Sequence, residues 1–294
     1  MATTDIPSGD ARVQQTLRTR RGWSPAGVAR ALFLGLLALV VLYPLWNILA
    51  ISLADRSSVI ATDRTLWPPT GDAYARAWFN VPFPRYFLNS LIVTGVVTIG
   101  NTLTAVLAAY AFARAEFRGR EFLFLLIVGT LMIPSHVTLI PNYLTFARWH
   151  MLDTHVALIL PFLASGFSVF FLRQFMRGIP ASLDEAARMD GAGTWMILWT
   201  IIVPLSWPAI AVVALFTFMG NWNEFVWPLL TTSSEDMRTV QIGLRYLLRD
   251  EGEGATPDWP LVMAGTMITL LPLLVAYLFA ERHMIRGITM GSFR

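Results

Sequence analysis

Six stretches of this chain are each long and apolar enough to cross a lipid bilayer, and no other feature narrows the fold so far. Crossing a hydrocarbon core of about 30 Å takes roughly 20 helical residues. The windows Ala31–Ser52, Tyr86–Ala113, Phe122–Phe146, Val156–Leu172, Thr200–Met219 and Pro260–Ala280 are of that order, with no Arg, Asp or Glu at their centres. The bulk composition agrees, with 55% hydrophobic and only 14% charged residues and a mean hydropathy of +0.56. The expected fold class is therefore an all-α membrane protein with six transmembrane helices. The first window also permits a second reading as a secretory signal. It follows Arg18, Arg20, Arg21 and Arg30 and carries Ala50 and Ser52 at cleavage-like spacing, although its apolar run is longer than a typical signal core.

Orientation follows from the arginines, since the chain has no Lys and all 22 of its basic residues are Arg. With the N-terminus inside, 14 of them fall in inside segments and 8 in outside segments, a bias that puts both termini in the cytoplasm. Membrane topology thus accounts for the net charge of +3 and the pI of 9.6, and no nucleic-acid partner is needed. The absence of Cys excludes disulfides, thiolate metal sites and cysteine catalysis.

Residues 1–28 are polar, rich in Thr, Gln and Arg, and lack apolar periodicity, so they read as a disordered cytoplasmic tail. Residues 29–294 then form the membrane domain, with long outside loops at Asp55–Pro84 and Thr231–Trp259. Pro134, Pro141, Pro161, Pro204, Pro208 and Pro272 lie inside spans. Each removes a backbone hydrogen bond and must kink or break its helix.

The energy source is the discriminating question. An ion-coupled secondary transporter usually carries an ionisable residue at membrane depth, and none sits at a span centre here. An ATPase site needs the lysine of G-x-x-x-x-G-K-[ST], and the chain has none. His136, His150, His155 and His283 form no H-E-x-x-H, and no carboxylate in a span is placed to pair with a nucleophile, so a membrane enzyme and a metal site are equally disfavoured. A path without its own engine implies an engine on another chain.

Residues 181–208, ASLDEAARMDGAGTWMILWTIIVPLSWP, interrupt the apolar pattern. Pro180 stops the preceding span, and Ser182 with Glu185 has the spacing of a capping box. Gly191 and Gly193 can end the helix after about two turns, because glycine takes the left-handed conformation at no steric cost. Leu183, Ala186, Ala187 and Asp190 then share one face, and the two alanines allow close approach of another surface. The expectation is a short capped helix near 182–191 on the cytoplasmic side.

These residues resemble a known family. Glu185-Ala186-Ala187, Asp190-Gly191-Ala192 and the later Pro204 are similar to the EAA loop of inner-membrane permeases of ATP-binding-cassette importers. Tyr110-Ala111-Phe112-Ala113-Arg114, Met132-Ile133-Pro134, Leu139-Ile140-Pro141, Leu158-Ile159-Leu160-Pro161, Asn221-Trp222-Asn223-Glu224-Phe225 and Arg286-Gly287-Ile288-Thr289 extend the likeness to the maltose-type carbohydrate branch. The glycerol-3-phosphate permeases are similarly close. The ending Gly291-Ser292-Phe293-Arg294 departs from the family's Gly-Ala-Val-Lys.

The resemblance implies the type I importer permease fold and a chain that forms half of a translocation path. The solute is a sugar, oligosaccharide or polyol, or alternatively glycerol-3-phosphate or a glycerophosphodiester. Glu185, Ala186, Ala187, Asp190, Gly191 and Pro204 would couple the path to the ATPase. Implied partners are a second homologous permease, two ATPase subunits that bind ATP and Mg, an extracytoplasmic substrate-binding protein and the lipid bilayer of a bacterial inner membrane. The chain itself would hold no cofactor.

Ser90, Thr94, Thr98 and Asn101 form a polar stripe that is either a helix-packing seam or path lining. Asn221, Asn223 and Glu224 can face the path mouth, while Trp222 and Trp227 are expected in the outer interfacial belt. The loop Thr231–Trp259 is expected to dock the binding protein through Arg245, Tyr246 and Arg249. Its charges of both signs give orientation, and Leu244, Tyr246, Leu247 and Leu248 give an apolar anchor. The competing reading lays the short helix of this loop on the membrane surface.

Overall fold

Apolar sequence with no internal water must satisfy its own backbone, and helices accordingly dominate the architecture. The structure is a computed structural model that describes residues 25–56, 69–79, 81–248 and 257–290, the last nine by backbone alone. The helices, in order, are α1 (Pro25–Ser52), α2 (Asp72–Phe79), α3 (Phe83–Arg114), α4 (Arg120–Thr130), α5 (Leu139–Arg148), α6 (His155–Ile159), α7 (Gly166–Arg177), α8 (Ser182–Met189), α9 (Thr194–Ile197), α10 (Val203–Trp222), α11 (Val226–Thr231), α12 (Val240–Leu247) and α13 (Trp259–Met290). No strand occurs among the described residues. Residues 1–24 of the expected tail lie outside the described residues, and residues 25–28 already belong to α1.

Among the described residues, five largely helical stretches are long and apolar enough to span a membrane: Pro25–Ser52, Phe83–Arg114, His155–Arg177, Thr194–Trp222 and Trp259–Glu281. The expected third span is instead two helices, α4 of 11 residues and α5 of 10. Pro134 explains the break. It has no N–H to donate and pushes Ile133 out of the helical region. A 3₁₀ turn at Ser135–Val137 then restarts the chain. Pro161 acts similarly in the fourth crossing, where a 3₁₀ turn at Leu160–Phe162 separates α6 from α7. Ahead of Pro204 the chain widens into a π turn at Leu198–Ile202, which accommodates the missing donor without breaking the crossing. Pro208 and Pro272 lie within continuous helices.

Chain contacts divide the molecule at Asn47. The portion of α1 before it carries exposed side chains through Trp46, and its apolar residues surround the helix on all sides, as suits a hydrocarbon environment. In the unit from Ile48 onward, α3 is the central element. Its lower half, Ala105, Val106 and Ala109, packs with Leu172 and Met176 of α7 and with Ile197, Leu198 and Ile202 around the π turn. Its upper half, Phe83 and Tyr86, packs with Trp222, Val240, Leu247 and Val262. Between them Val93 and Val97 meet Phe146, Leu158 and Trp227.

Trp222 and Trp227 are therefore core residues at 1% and 5% exposure, and not belt residues. Their indole N–H groups donate to Thr269 O at 3.1 Å and Ala157 O at 2.8 Å, which removes the need for interfacial water. Gly243 lets α12 press directly on the Tyr86 ring, where a Cβ would collide. That contact buries Val240, Ile242 and Leu247 against the bundle, so Leu247 of the expected apolar anchor is spent on internal packing. The same burial removes the reading of α12 as a helix lying on the membrane surface.

A buried arginine ties three helices at one end. Arg173 of α7 is 2% exposed. Its Nη2 donates to both Glu121 carboxylate oxygens at 2.8 and 2.9 Å, its Nε donates to Phe112 O at 3.2 Å, and its guanidinium lies 3.7 Å from the Phe124 ring centroid. Removing Glu121 leaves this charge buried and unpaired, whereas replacing Arg173 by an apolar side chain removes the charge itself. Because the Glu121 side chain is 57% exposed and water can take its place, Glu121→Ala is expected to destabilise the protein by about 1 kcal/mol, and Arg173→Met by less. Thermal unfolding of the two variants in detergent checks the order.

Candidate functional site

The polar segment after α7 folds as α8, Ser182–Met189. The capping box does not form. Ala181 is the N-cap, with no side-chain cap bond, and the Asp184 and Glu185 N–H groups donate to Ala181 O at 3.0 and 3.1 Å. Ser182 is already inside the first turn, so its hydroxyl is one position too late to cap. Gly191 ends the helix as expected, at φ +84°. The Ala192 N–H donates to Ala187 O at 2.9 Å and the Gly191 N–H to Arg188 O at 3.0 Å, the paired bonds of a Schellman ending. Gly193 instead serves as N-cap of α9. Glu185, Ala186, Asp190 and Gly191 are exposed and Ala187 is half-buried, while Pro204 lies at the first turn of α10, behind the π turn.

What holds α8 in place is a pair the motif reading did not single out. Asp184 is 7% exposed, and its Oδ2 lies 3.2 Å from Arg114 Nε at the last residue of α3. Arg114 Nη2 also donates to Ile179 O at 2.7 Å. The two side chains are each 10% exposed, so loss of either leaves a buried charge. Arg114 ends the Tyr110-Ala111-Phe112-Ala113-Arg114 motif and Asp184 adjoins Glu185, but only the fold brings them together across 70 residues.

The stripe on α3 divides by position. Ser90 is buried, and its Oγ accepts the Val240 N–H at 2.8 Å. Thr94 is buried and Thr98 half-buried, and neither hydroxyl has a hydrogen-bond partner among the described residues. Asn101 is 2% exposed. Its Nδ2 donates to Phe162 O at 3.0 Å, and its Oδ1 accepts the Ser168 hydroxyl at 2.8 Å and the Thr217 hydroxyl at 3.4 Å. Thr104 Oγ1, on the next turn, donates to Leu163 O at 2.7 Å. The Ala157 carbonyl that Pro161 leaves without a helical donor is taken by Trp227 Nε1, and the Phe162 and Leu163 carbonyls at the break before α7 receive donors from α3. Ser90 and Asn101 act as a packing seam, and Asn101 also borders a cavity of about 600 Å³ shared with Ser165, Phe216, Thr217 and Asn221.

Asn221 reaches that cavity while its Nδ2 donates to Thr217 O at 2.9 Å. Asn223 is exposed and accepts from Gln241 Nε2 at 3.4 Å. Glu224 Oε1 accepts the Val226 and Trp227 N–H groups at 3.0 and 3.1 Å, a capping role at the start of α11. Arg245 is exposed, with its guanidinium 5.8 Å from the Phe225 ring, and the Tyr246 ring lies 4.0 Å from the Arg238 guanidinium. Arg249 lies outside the described residues. No group of three or more His, Asp or Glu side chains able to hold a metal occurs among the described residues.

A second polar seam closes the opposite end from α8. Asn89 Nδ2 donates to Asp236 O at 2.7 Å and Arg238 O at 2.9 Å, and Arg76 pairs with Asp258 and Asp72. Asp153, at φ +60°, receives the Ser233 and Ser234 N–H groups at 2.9 and 3.0 Å.

With this geometry in hand, comparison with known proteins is decisive. A model of the family "binding-protein-dependent transport system inner membrane component" matches residues 100–286. The chain belongs to this family. It is a multi-pass inner-membrane permease subunit of an ATP-binding-cassette importer, not an enzyme, and the ATPase resides in a separate subunit. It is 34% identical over 258 residues to the sn-glycerol-3-phosphate transport system permease protein UgpE of Yersinia pestis, covering 85% of this chain and 91% of that one. It is 29% identical over 286 residues to the arabinooligosaccharides transport system permease protein AraQ of Bacillus subtilis, covering 95% of this chain and 99% of that one. Its fold matches a chain of a bacterial transporter for the acidic polysaccharide alginate with a TM-score of 0.78 at 24% identity, covering 95% and 99% of the two chains. Four continuous crossings plus the broken α4–α5 and α6–α7 pairs account for the permease architecture among the described residues.

The Asp153 clamp has a defined pH dependence. Burial pushes its carboxyl pKa up, but the Ser233 and Ser234 N–H groups and the Ser234 hydroxyl outweigh this and lower it overall. A carboxylate lowered on folding stabilises above its unfolded value of about 3.9, and that stabilisation is lost as pH falls through the lower folded value. Hydrogen-exchange protection of the Ser233 and Ser234 amides is expected to hold from pH 7 to about 4 and to fall below it. Asp153→Ala, which has no acceptor for the two N–H groups, should lose that protection already at pH 7.

Proposed function

We propose that this permease forms half of the translocation path for a carbohydrate and that α8 is the coupling helix through which a partner ATPase drives it. The observation that carries the reading is the construction of α8. It is a two-turn helix, ended by a Schellman glycine, that exposes Glu185 and Ala186 while Asp184 fastens it to the end of α3. A surface presented in this way can seat in a cleft of another subunit and pass displacement to a membrane helix. Binding of ATP would draw two such helices together in the paired permeases, and the crossings would rock between inward- and outward-facing states.

The names of the relatives support the solute class. The matched proteins of Bacillus subtilis and Halalkalibacterium halodurans are named for arabinooligosaccharides. The Yersinia pestis relative is named for sn-glycerol-3-phosphate, which keeps that solute or a glycerophosphodiester as the second reading. The arginine bias supports a cytoplasmic position for α8 and both termini. The opposite end, with exposed Arg245 and the residues from Thr231 to Leu248, then faces the binding protein. A second permease and two ATPase subunits that hold ATP and Mg complete the assembly.

Gly191 gives the direct test. Its φ of +84° is closed to proline, which requires about −65°. Gly191→Pro should leave the membrane helices inserted, reduce the ATPase subunit co-purified with the permease pair, and lower transport by about tenfold or more. Normal ATPase recovery together with normal transport would remove α8 from the coupling role.

A further inference from the structure

The breaks in the third and fourth crossings open on one space. Leu131, Ile133 and Thr138 from the α4–α5 break, and Pro161, Phe162 and Ser165 from the α6–α7 break, line the cavity of about 600 Å³. Phe216, Thr217, Gly220 and Asn221 of α10 close its other wall. Non-helical backbone at membrane depth is tolerated where it is buried in protein or lines a cavity, and discontinuous helices of this kind mark solute sites in transporters. The volume lies within the ordinary range for a small-molecule pocket, about 300–1,000 Å³.

The chemistry of the wall selects its occupant. Not one lining residue is ionisable. Asn221 spends one N–H on Thr217 O and keeps its Oδ1 and second N–H for a ligand. Ser165 Oγ accepts the Ser168 N–H at 3.4 Å and retains its own proton to donate. Phe167 and Phe216 are 46% and 57% exposed and offer flat apolar faces. Amide and hydroxyl groups that both donate and accept, set beside aromatic faces, complement a sugar ring, whose hydroxyls edge an apolar C–H surface.

A phosphate would fare poorly here. The N-terminus of α7 opens on the same cavity and supplies roughly half a positive charge. Against a charge near −2 that leaves most of the desolvation cost uncompensated, with no arginine in the wall. We infer that this cavity is a solute subsite contributed directly by this chain, and that it takes the uncharged, polyhydroxylated face of a saccharide in preference to a phosphorylated solute.

The inference rests on the importer reading, and its test separates the two. The complete transporter, with second permease, ATPase subunits and binding protein, is reconstituted in proteoliposomes with labelled arabinotriose, maltotriose and sn-glycerol 3-phosphate as probes. At least one neutral trisaccharide should accumulate and the phosphate should not. Asn221→Ala and Phe216→Ala should each cut that accumulation by about tenfold, with the ATPase subunits recovered at parental stoichiometry. Because the chain has no cysteine, a single cysteine at Phe216 should be shielded from a neutral maleimide by the transported trisaccharide. Accumulation of the phosphate with exclusion of both trisaccharides would overturn the subsite. Undiminished trisaccharide uptake in both variants would do the same. An ATPase rate that the binding protein fails to raise in the parent complex would instead overturn the importer reading beneath it.

Discussion

Carbonyl groups freed inside a membrane have no water to turn to, and the organisation of this permease depends on how α3 answers that demand. Pro161 interrupts the fourth crossing, and the exposed Phe162 and Leu163 carbonyls take their donors from Asn101 and Thr104. Each unmet carbonyl would cost several kcal/mol in hydrocarbon, so the break can exist only where α3 brings those side chains. The same Asn101 then accepts from Ser168 on α7 and Thr217 on α10. One side chain thereby sets the spacing of three crossings and one wall of the cavity.

The other bonds of α3 give it a mechanical role. At one end Asn89 holds the Asp236 and Arg238 carbonyls. At the other, Arg114 meets Asp184 of the proposed coupling helix. From Arg114 to Asn101 is 13 residues of continuous helix, about 20 Å at 1.5 Å per residue. Under the proposed coupling role, a displacement of α8 would be delivered along an unbroken rod to the residue that fixes the cavity wall. The Arg173–Glu121 bond braces α7 and α4 against the same end of α3.

Much of this was legible in the sequence because the membrane imposes one-dimensional rules. Span lengths, the polar segment at 181–208 and the glycine ending of α8 each follow from local constraints on length, polarity and φ. The reading failed where the outcome depends on partners distant in the chain. Trp222 and Trp227 have the amphipathic character of belt residues, yet buried carbonyls of Thr269 and Ala157 claim their indole donors. Ser182 and Glu185 have capping-box spacing, but the helix starts at Ala181, and the carboxylate that anchors it is Asp184, paired with Arg114. Pro134 announced a kink or a break, and that the break borders a cavity follows only from the packing of α4, α7 and α10.

The central claim is that Arg114 and Asp184 act as one joint between the coupling helix and α3. A double-mutant cycle in the reconstituted transporter, reading solute moved per ATP hydrolysed, tests it most directly. Arg114→Ala and Asp184→Ala should each lower that ratio by a similar factor, and the double variant should be no worse than either, because the joint is lost once. Fully additive losses, or an unchanged ratio in both single variants, would contradict it.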